Sequence, residues 1–240
     1  PQVEPEAYQD MMRLAIVGRV NVGKSMLVNA ILGQKRTIVS SRPGTTRDAV
    51  DTPFQYQENP MVLVDTAGIR RPGKIGRGIE YYSVLRAVRA IQRSDVSLLV
   101  MDATELATSQ DAHVSAHGWD GYKGLIVVIN KWDLIDDRNN DSKELAIQTV
   151  RERLHFMPYV PIVFTSALLK QGIDDLMSLV LDLYKERFKQ VPEDTLRYAV
   201  MSAMADQMPQ MKKGKRLKIY GVKQTGSNPP TFLFTVNEPS

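Results

Sequence analysis

The stretch "RLAIVGRVNVGKS", Arg13–Ser25, decides the fold. Its apolar run Leu14–Val17 reads as a buried strand, and "GRVNVGKS" (18–25) fits G-x-x-x-x-G-K-[ST] at the point where that strand gives way to a helical pattern, Lys24–Leu32. Gly18 and Gly23 let the backbone turn its N–H groups toward phosphate oxygens. The helix start adds positive potential, Lys24 reaches the β- and γ-phosphates, and the Ser25 hydroxyl suits Mg²⁺. Gly33 is placed to cap the helix in a left-handed conformation.

Outward from that loop, short apolar runs alternate with helical stretches, the pattern of a mostly parallel α/β sheet wrapped by helices. "MVLVD" (61–65), "VSLLVMD" (96–102), "LIVVIN" (125–130) and "IVFTS" (162–166) read as strands buried on both faces. "AVDTPFQYQ" (49–57) alternates and suits an edge strand, which makes six strands in all. Helices are expected over Glu80–Arg93, Asp111–Trp119, Ser142–Leu154 and Ile173–Phe188, with "DDRNND" (136–141) a solvated loop. At "KQVPED" (189–194) the sequence changes character. A helix near Asp194–Met208, a basic turn "KKGKR" (212–216) and strands at 217–222 and 231–236 follow, with "KQTGSNPP" between them as a loop. The expected organisation is an extension over 1–12, an α/β domain over 13–189 and a small α+β unit over 190–240. Met201, Met204, Met208 and Met211, at helical spacing, are expected to pack a core, as are Tyr220, Phe232 and Phe234.

The 240 residues include no cysteine, which excludes a disulfide framework and thiolate metal sites and fits a cytoplasmic location. Runs such as "GLIVVI" fall far short of the ~20 apolar residues that span a bilayer. Three of the four net positive charges fall after residue 190, where Lys212, Lys213, Lys215, Arg216 and Lys218 suggest contact with a polyanion. The histidines at 113, 117 and 155 form no ligand cluster.

Further motifs follow in order. "DTAG" (65–68) leaves a strand end, so Asp65 can hold a Mg²⁺ water and Gly68 can bring its N–H to the γ-phosphate. In "RPGTTRD" (42–48), Thr45 or Thr46 can place a hydroxyl and an N–H on Mg²⁺ and the γ-phosphate. "NKWD" (130–133) selects the base: a carboxylate at Asp133 accepts from guanine N1–H and its exocyclic amine, whereas adenine has no donor at that ring nitrogen. Asn130 bonds the purine edge and the neighbouring loop, and the Lys131 stem covers one face of the base. In "SAL" (Ser166, Ala167, Leu168) the Ala167 N–H can meet the guanine carbonyl. The nucleotide contact set is thus Gly18, Asn21, Val22, Gly23, Lys24, Ser25, Met26, Thr45, Thr46, Asp65, Gly68, Asn130, Lys131, Asp133, Ser166, Ala167 and Leu168. Within it, Lys24, Thr46 and Gly68 act on the reacting phosphate, and Ser25, Thr46 and Asp65 serve Mg²⁺. The reaction implied is hydrolysis of GTP to GDP and phosphate. Ile69 stands where many such enzymes place a water-orienting glutamine.

"NVGKS", "PGTTRD", "DTAGIRR", "YSVLRA" (82–87), "NKWDL", "GKRLKI" and "NPPTFLFTVN" together resemble the TrmE–Era–EngA group of GTPases. Within that group they resemble the second GTPase domain and KH-like domain of the EngA (Der) family, over nearly the whole chain from Arg13. The resemblance implies a nucleotide-switched factor of large ribosomal subunit assembly that engages the subunit or its rRNA. It further implies a monomer tethered to an upstream second GTPase domain, with a KH-like domain that is incomplete here. It also implies slow hydrolysis stimulated by K⁺ held at Asn21, in place of the missing glutamine. Val20 stands where the family usually has Pro. Two alternatives are an Era-type GTPase with an RNA-binding KH domain, for which "KKGK" is a poor G-x-x-G clamp, and a binding module with negligible hydrolysis.

Overall fold

The computed structural model describes residues 11–33, 51–66, 79–206 and 217–237. Thr45, Thr46, Gly68, Ile69 and the basic cluster Lys212–Arg216 lie outside them. The chain divides into two compact units, residues 1–184 and 185–240.

The first unit is built on β1 (Met12–Val17), β2 (Thr52–Tyr56), β3 (Asn59–Leu63), β4 (Val96–Asp102), β5 (Gly124–Asn130) and β6 (Ile162–Phe164). They form one sheet in the order β2-β3-β1-β4-β5-β6, with β2 antiparallel to β3 and every other pairing parallel. Strict alternation of side chains sends successive residues of each central strand to opposite faces. Leu14, Ile16, Leu98, Val100, Ile126 and Val128 pack with Leu27 and Ile31 of α1 (Lys24–Gly33) and with Leu176 and Val180 of α5 (Ile173–Phe188). Ala15, Val17, Leu99, Met101, Val127 and Ile129 meet the other layer. That layer comprises Ile91 of α2 (Ile79–Arg93), Val114 of α3 (Ser109–Asp120) and Val150 of α4 (Asn140–Arg153). Both faces are therefore covered, which is why the central strands are apolar nearly throughout. The alternating strand β2 takes the edge, as its pattern predicts.

Several boundaries move for local reasons. Gly33 continues α1 without a positive φ, so the expected left-handed cap is not formed there. Helix α4 starts at Asn140, inside the expected loop, because Asn139 Oδ1 accepts from Ser142 N–H at 2.8 Å and caps it. Strands β3 and β6 end at Leu63 and Phe164, earlier than their apolar runs suggest, which frees Asp65, Thr165 and Ser166 for loops.

In the second unit, α6 (Glu193–Asp206) accompanies the antiparallel pair β7 (Ile219–Ser227) and β8 (Pro230–Val236). The expected loop "KQTGSNPP" is mostly strand: β7 runs to Ser227, leaving only Asn228 and Pro229 as the turn, and the Gly, Asn and Pro residues misled the reading. The Gln224 side chain stitches the preceding segment to the hairpin, accepting from Val191 N–H at 2.8 Å and donating to the Lys189 carbonyl at 3.0 Å. Arg187 grips the hairpin turn through Nε and Nη2, both donating to Asn228 Oδ1. The expected core role of the apolar residues here is corrected. Helix α6 has no buried residue, Met201 is exposed and Met204 partly so, and Tyr220, Phe232 and Phe234 are exposed as well, while Met208 and Met211 lie outside the described residues. A two-stranded ribbon has too little partner surface to bury both of its faces. No helix among the described residues is long and apolar enough to cross a membrane.

Candidate nucleotide site

The carboxyl ends of β1, β3, β4, β5 and β6 share one edge of the sheet, where open α/β folds bind ligands. The sequence motifs fall on that edge.

Gly18 leaves β1 with φ +142°, and a Cβ there would meet the Val100 carbonyl oxygen at 2.3 Å, so only glycine lets the loop lie against β4. Asn21 follows in the left-handed region at φ +65°, exposed to solvent. Val22 is buried, whereas Ser25 and Met26 are exposed on the first turn of α1. Lys24 Nζ donates back to the carbonyls of Gly18, at 2.9 Å, and Arg19, so the ammonium is folded into its own loop. Burial pushes the Lys24 ammonium down to about 8, with the Asp111 carboxylate opposing the shift.

Asn130 is 1% exposed and makes three bonds. Its Nδ2 donates to the Val22 carbonyl at 2.9 Å, and its Oδ1 accepts from Thr165 Oγ1 at 3.1 Å and Ala167 N–H at 3.0 Å. One side chain thus ties the phosphate loop to the loops after β5 and β6. The Ala167 N–H, expected at a base carbonyl, is engaged by Asn130. Ser166 is buried, its Oγ accepting from Leu169 N–H at 3.1 Å, while Leu168 is exposed. Lys131 takes φ +63°, and its Cε lies 3.9 Å from where a Cβ on Gly23 would fall, so its stem runs beside the phosphate loop. Its ammonium donates to Asp102 Oδ2 at 2.6 Å. Burial works against ionisation of Asp102, but hydrogen bonds from Lys131 and Thr104 outweigh it and hold the carboxyl below its usual range.

Asp133 Oδ1 is buried and has no hydrogen-bond partner. A buried acceptor without a donor is costly, and the ring and exocyclic N–H groups of a purine edge are donors of the kind it lacks. Asp65 sits beyond the end of β3 at φ +55°. Its carboxylate and the Ser25 hydroxyl are the hard oxygen donors that Mg²⁺ takes.

The structure therefore brings together Gly18–Met26, Asp65, Asn130, Lys131, Asp133 and Ser166–Leu168, while Thr45, Thr46 and Gly68 fall outside the described residues. It adds residues that the sequence reading missed. Asp102 ends β4 as Asp65 follows the β3 run, a carboxylate after "VSLLVM", and that parallel was a usable signal. Thr165 and Glu105 act through tertiary partners and left no local pattern, whereas Asp111 stands three residues after Thr108, the spacing of a helix cap, and only its approach to Arg19 is tertiary.

A phosphate loop fastened through one asparagine to the loop that carries an unpaired buried aspartate is the arrangement of P-loop GTPases, and the chain is of that class. A family described as 50S ribosome-binding GTPase matches residues 13–131, and one described as the KH-domain-like C-terminal part of EngA bacterial GTPase enzymes matches residues 190–240. Among curated relatives, GTPase Der of Thermomicrobium roseum is 51% identical over 234 residues, 97% of this chain and 51% of that protein. GTPase Der of Thermoanaerobacter pseudethanolicus is 46% identical over 239 residues, 100% of this chain and 54% of that protein. The chain belongs to the EngA (Der) family and spans about half the length of the curated relatives it matches. Among solved structures, Era in complex with MgGDPNP and a segment of 16S ribosomal RNA aligns with a TM-score of 0.56 at 28% identity. That alignment covers 94% of this chain and 77% of the Era chain.

Proposed function

We propose that the chain binds GTP and GDP with Mg²⁺, hydrolyses GTP slowly with stimulation by K⁺, and serves as a nucleotide-switched factor in large ribosomal subunit assembly in the cytoplasm. The observation that carries this reading is the unpaired, buried Asp133 Oδ1 beside an Asn130 already bonded to the phosphate loop. In this reading the Lys131 stem, which runs beside the phosphate loop, covers one face of the base, Ser166, Ala167 and Leu168 border it, and Lys24 reaches the phosphates from within the loop. The bound Mg²⁺ and K⁺ supply positive charge where the β- and γ-phosphates gain negative charge. Ser25 and Asp65, whose oxygens suit a hard cation, serve Mg²⁺, joined by Thr46 with Thr45 beside it, and Asn21 is the residue for K⁺. Gly68 presents a backbone N–H to the γ-phosphate. Ile69 has no polar side-chain group, so water must be oriented by backbone. The KH-like unit, with Lys218 exposed on its surface, engages rRNA through phosphate contacts, and the whole protein joins this chain to a second GTPase domain.

Two measurements test the reading. Asp133→Asn exchanges an acceptor for an amide that matches xanthine, so affinity should move from GDP to XDP by at least tenfold each way. Unchanged GDP affinity would remove Asp133 from base recognition. GTP turnover compared in matched KCl and NaCl, for the parent and Asn21→Ala, tests the cation. Equal rates in both salts would remove K⁺ from the mechanism.

A further inference from the structure

Arg19, the second residue of the phosphate loop, does not leave its guanidinium free. Nη1 donates to Glu105 Oε2 and Nη2 to the Glu105 carbonyl at 2.9 Å, while Nε lies 3.9 Å from Asp111 Oδ2. The Arg19 side chain is 16% exposed and that of Asp111 fully buried. Thr108 and Asp111 also form a reciprocal cap at the start of α3. Thr108 N–H and Oγ1 donate to Asp111 Oδ2 at 3.0 and 2.8 Å, and Asp111 N–H donates to Thr108 Oγ1 at 3.3 Å. A cap of this kind needs one carboxylate oxygen and works at a solvated helix end. It does not account for a carboxylate buried to 1% whose other oxygen, Oδ1, is unpaired in the same cluster as the equally unpaired Arg19 Nε.

Glu105 is itself placed by the site. Its N–H donates to the Asp102 carbonyl at 3.0 Å, and Asp102 Oδ1 accepts from Thr104 N–H and Oγ1 while Oδ2 holds Lys131. The connection from β4 to α3 is thereby fixed at one end by the base-side lysine, and at the other it grips the phosphate loop.

We propose that Arg19, Glu105 and Asp111 form a clamp that sets the shape of the phosphate loop from the β4–α3 side, with Glu105 and Asp111 as positioning residues for phosphate binding. The clamp keeps the Arg19 guanidinium off the phosphates and leaves Lys24, held in the loop by the Gly18 and Arg19 carbonyls, as the loop cation available to them. Through Arg19 it also fixes the carbonyl that Lys24 bonds. The proposal rests on the nucleotide reading above, and its test separates the two.

GDP and inosine diphosphate affinities are measured by fluorescence titration for the parent, Arg19→Ala, Asp111→Asn and the double variant. Amide hydrogen exchange across Val20–Lys24 is followed in the nucleotide-free proteins. GDP affinity should fall about tenfold in each single variant and no further in the double variant. The preference for GDP over inosine diphosphate, which reports the Asp133 pocket, should stay unchanged, and exchange in the loop should quicken several-fold. Should Asp111→Asn fail to fold, Glu105→Gln, at an exposed side chain, carries the same measurements with a smaller expected loss. Affinity within twofold of the parent in every variant would overturn the clamp, and so would loss of affinity together with loss of base preference. A parent chain that binds no GDP defeats the nucleotide reading, while loop exchange still decides the clamp.

Discussion

The backbone of Asp65 is held by Asp51: the Asp65 N–H donates to Asp51 Oδ1 at 3.0 Å. Arg93, at the end of α2, grips the same carboxylate at 2.5 Å, and Thr52 Oγ1 and Thr66 Oγ1 share a hydrogen bond of 2.9 Å alongside. The backbone of Asp65, the residue proposed for Mg²⁺, is thus set by a second carboxylate that is itself engaged by Arg93. Asp51→Ala should raise the Mg²⁺ concentration needed for half-maximal GDP retention several-fold and leave affinity in EDTA unchanged. Stability should drop by only about 1 kcal/mol, because Arg93 is partly solvated. Release of a fluorescent GDP analogue across a Mg²⁺ series checks this, and a parallel loss in EDTA would mean that Asp51 supports the whole pocket.

Gly23 and Asn130 constrain each other. Gly23 has φ +94°, and a Cβ built there would fall 2.3 Å from Asn130 Nδ2. Gly23→Ala should therefore push the amide off the Val22 carbonyl, and Asn130→Ala should remove all three of its bonds. Each should destabilise the nucleotide-free chain by about 2–4 kcal/mol, since buried partners are left unpaired. Urea unfolding without nucleotide measures both. A loss seen only with nucleotide present would contradict the structural role.

Lys24 gives a pH signature. Its ammonium titrates near 8 in the nucleotide-free fold against 10.5 for the ordinary group, so between these values the folded state holds fewer protons than the unfolded chain. Stability of the nucleotide-free protein should accordingly rise with pH across that window, by up to about 1.4 kcal/mol per pH unit. Phosphates favour the charged ammonium, so GDP binding near pH 8.5 should take up a proton. Calorimetry in buffers of different ionisation heat reads that uptake, and Lys24→Met should abolish it.

The sequence made the first unit legible where a residue's role is local. Strands β1, β4 and β5 are apolar nearly throughout because both sheet faces are covered, and the glycines of the phosphate loop announce backbone that approaches its neighbours closely. Asp51 and Glu105 were illegible because each works on a partner far along the chain, at no fixed spacing, and the same holds for the approach of Asp111 to Arg19, although its cap with Thr108 is local. The second unit was read less well. Gly226 and Pro230 look like breakers, yet the register shifts between Gln224 and Gly226 and the strand carries on to Ser227. Periodic methionines and aromatics suggested a core there, and the described residues include too little opposing surface to make one.

Because a single amide, that of Asn130, binds the Val22 carbonyl on one side and Thr165 and Ala167 on the other, mutation can reach a new base by one route and is closed off from another. With Asp133 reading the base as proposed, a lineage drifting toward a different purine can alter it without breaking a hydrogen bond of its Oδ1. The same lineage cannot explore Asn130, where each substitution unfastens the phosphate loop before any altered base preference can be selected. Innovation in substrate choice is thereby channelled to one codon of the "NKWD" stretch, three positions from a neighbour that purifying selection must hold fixed.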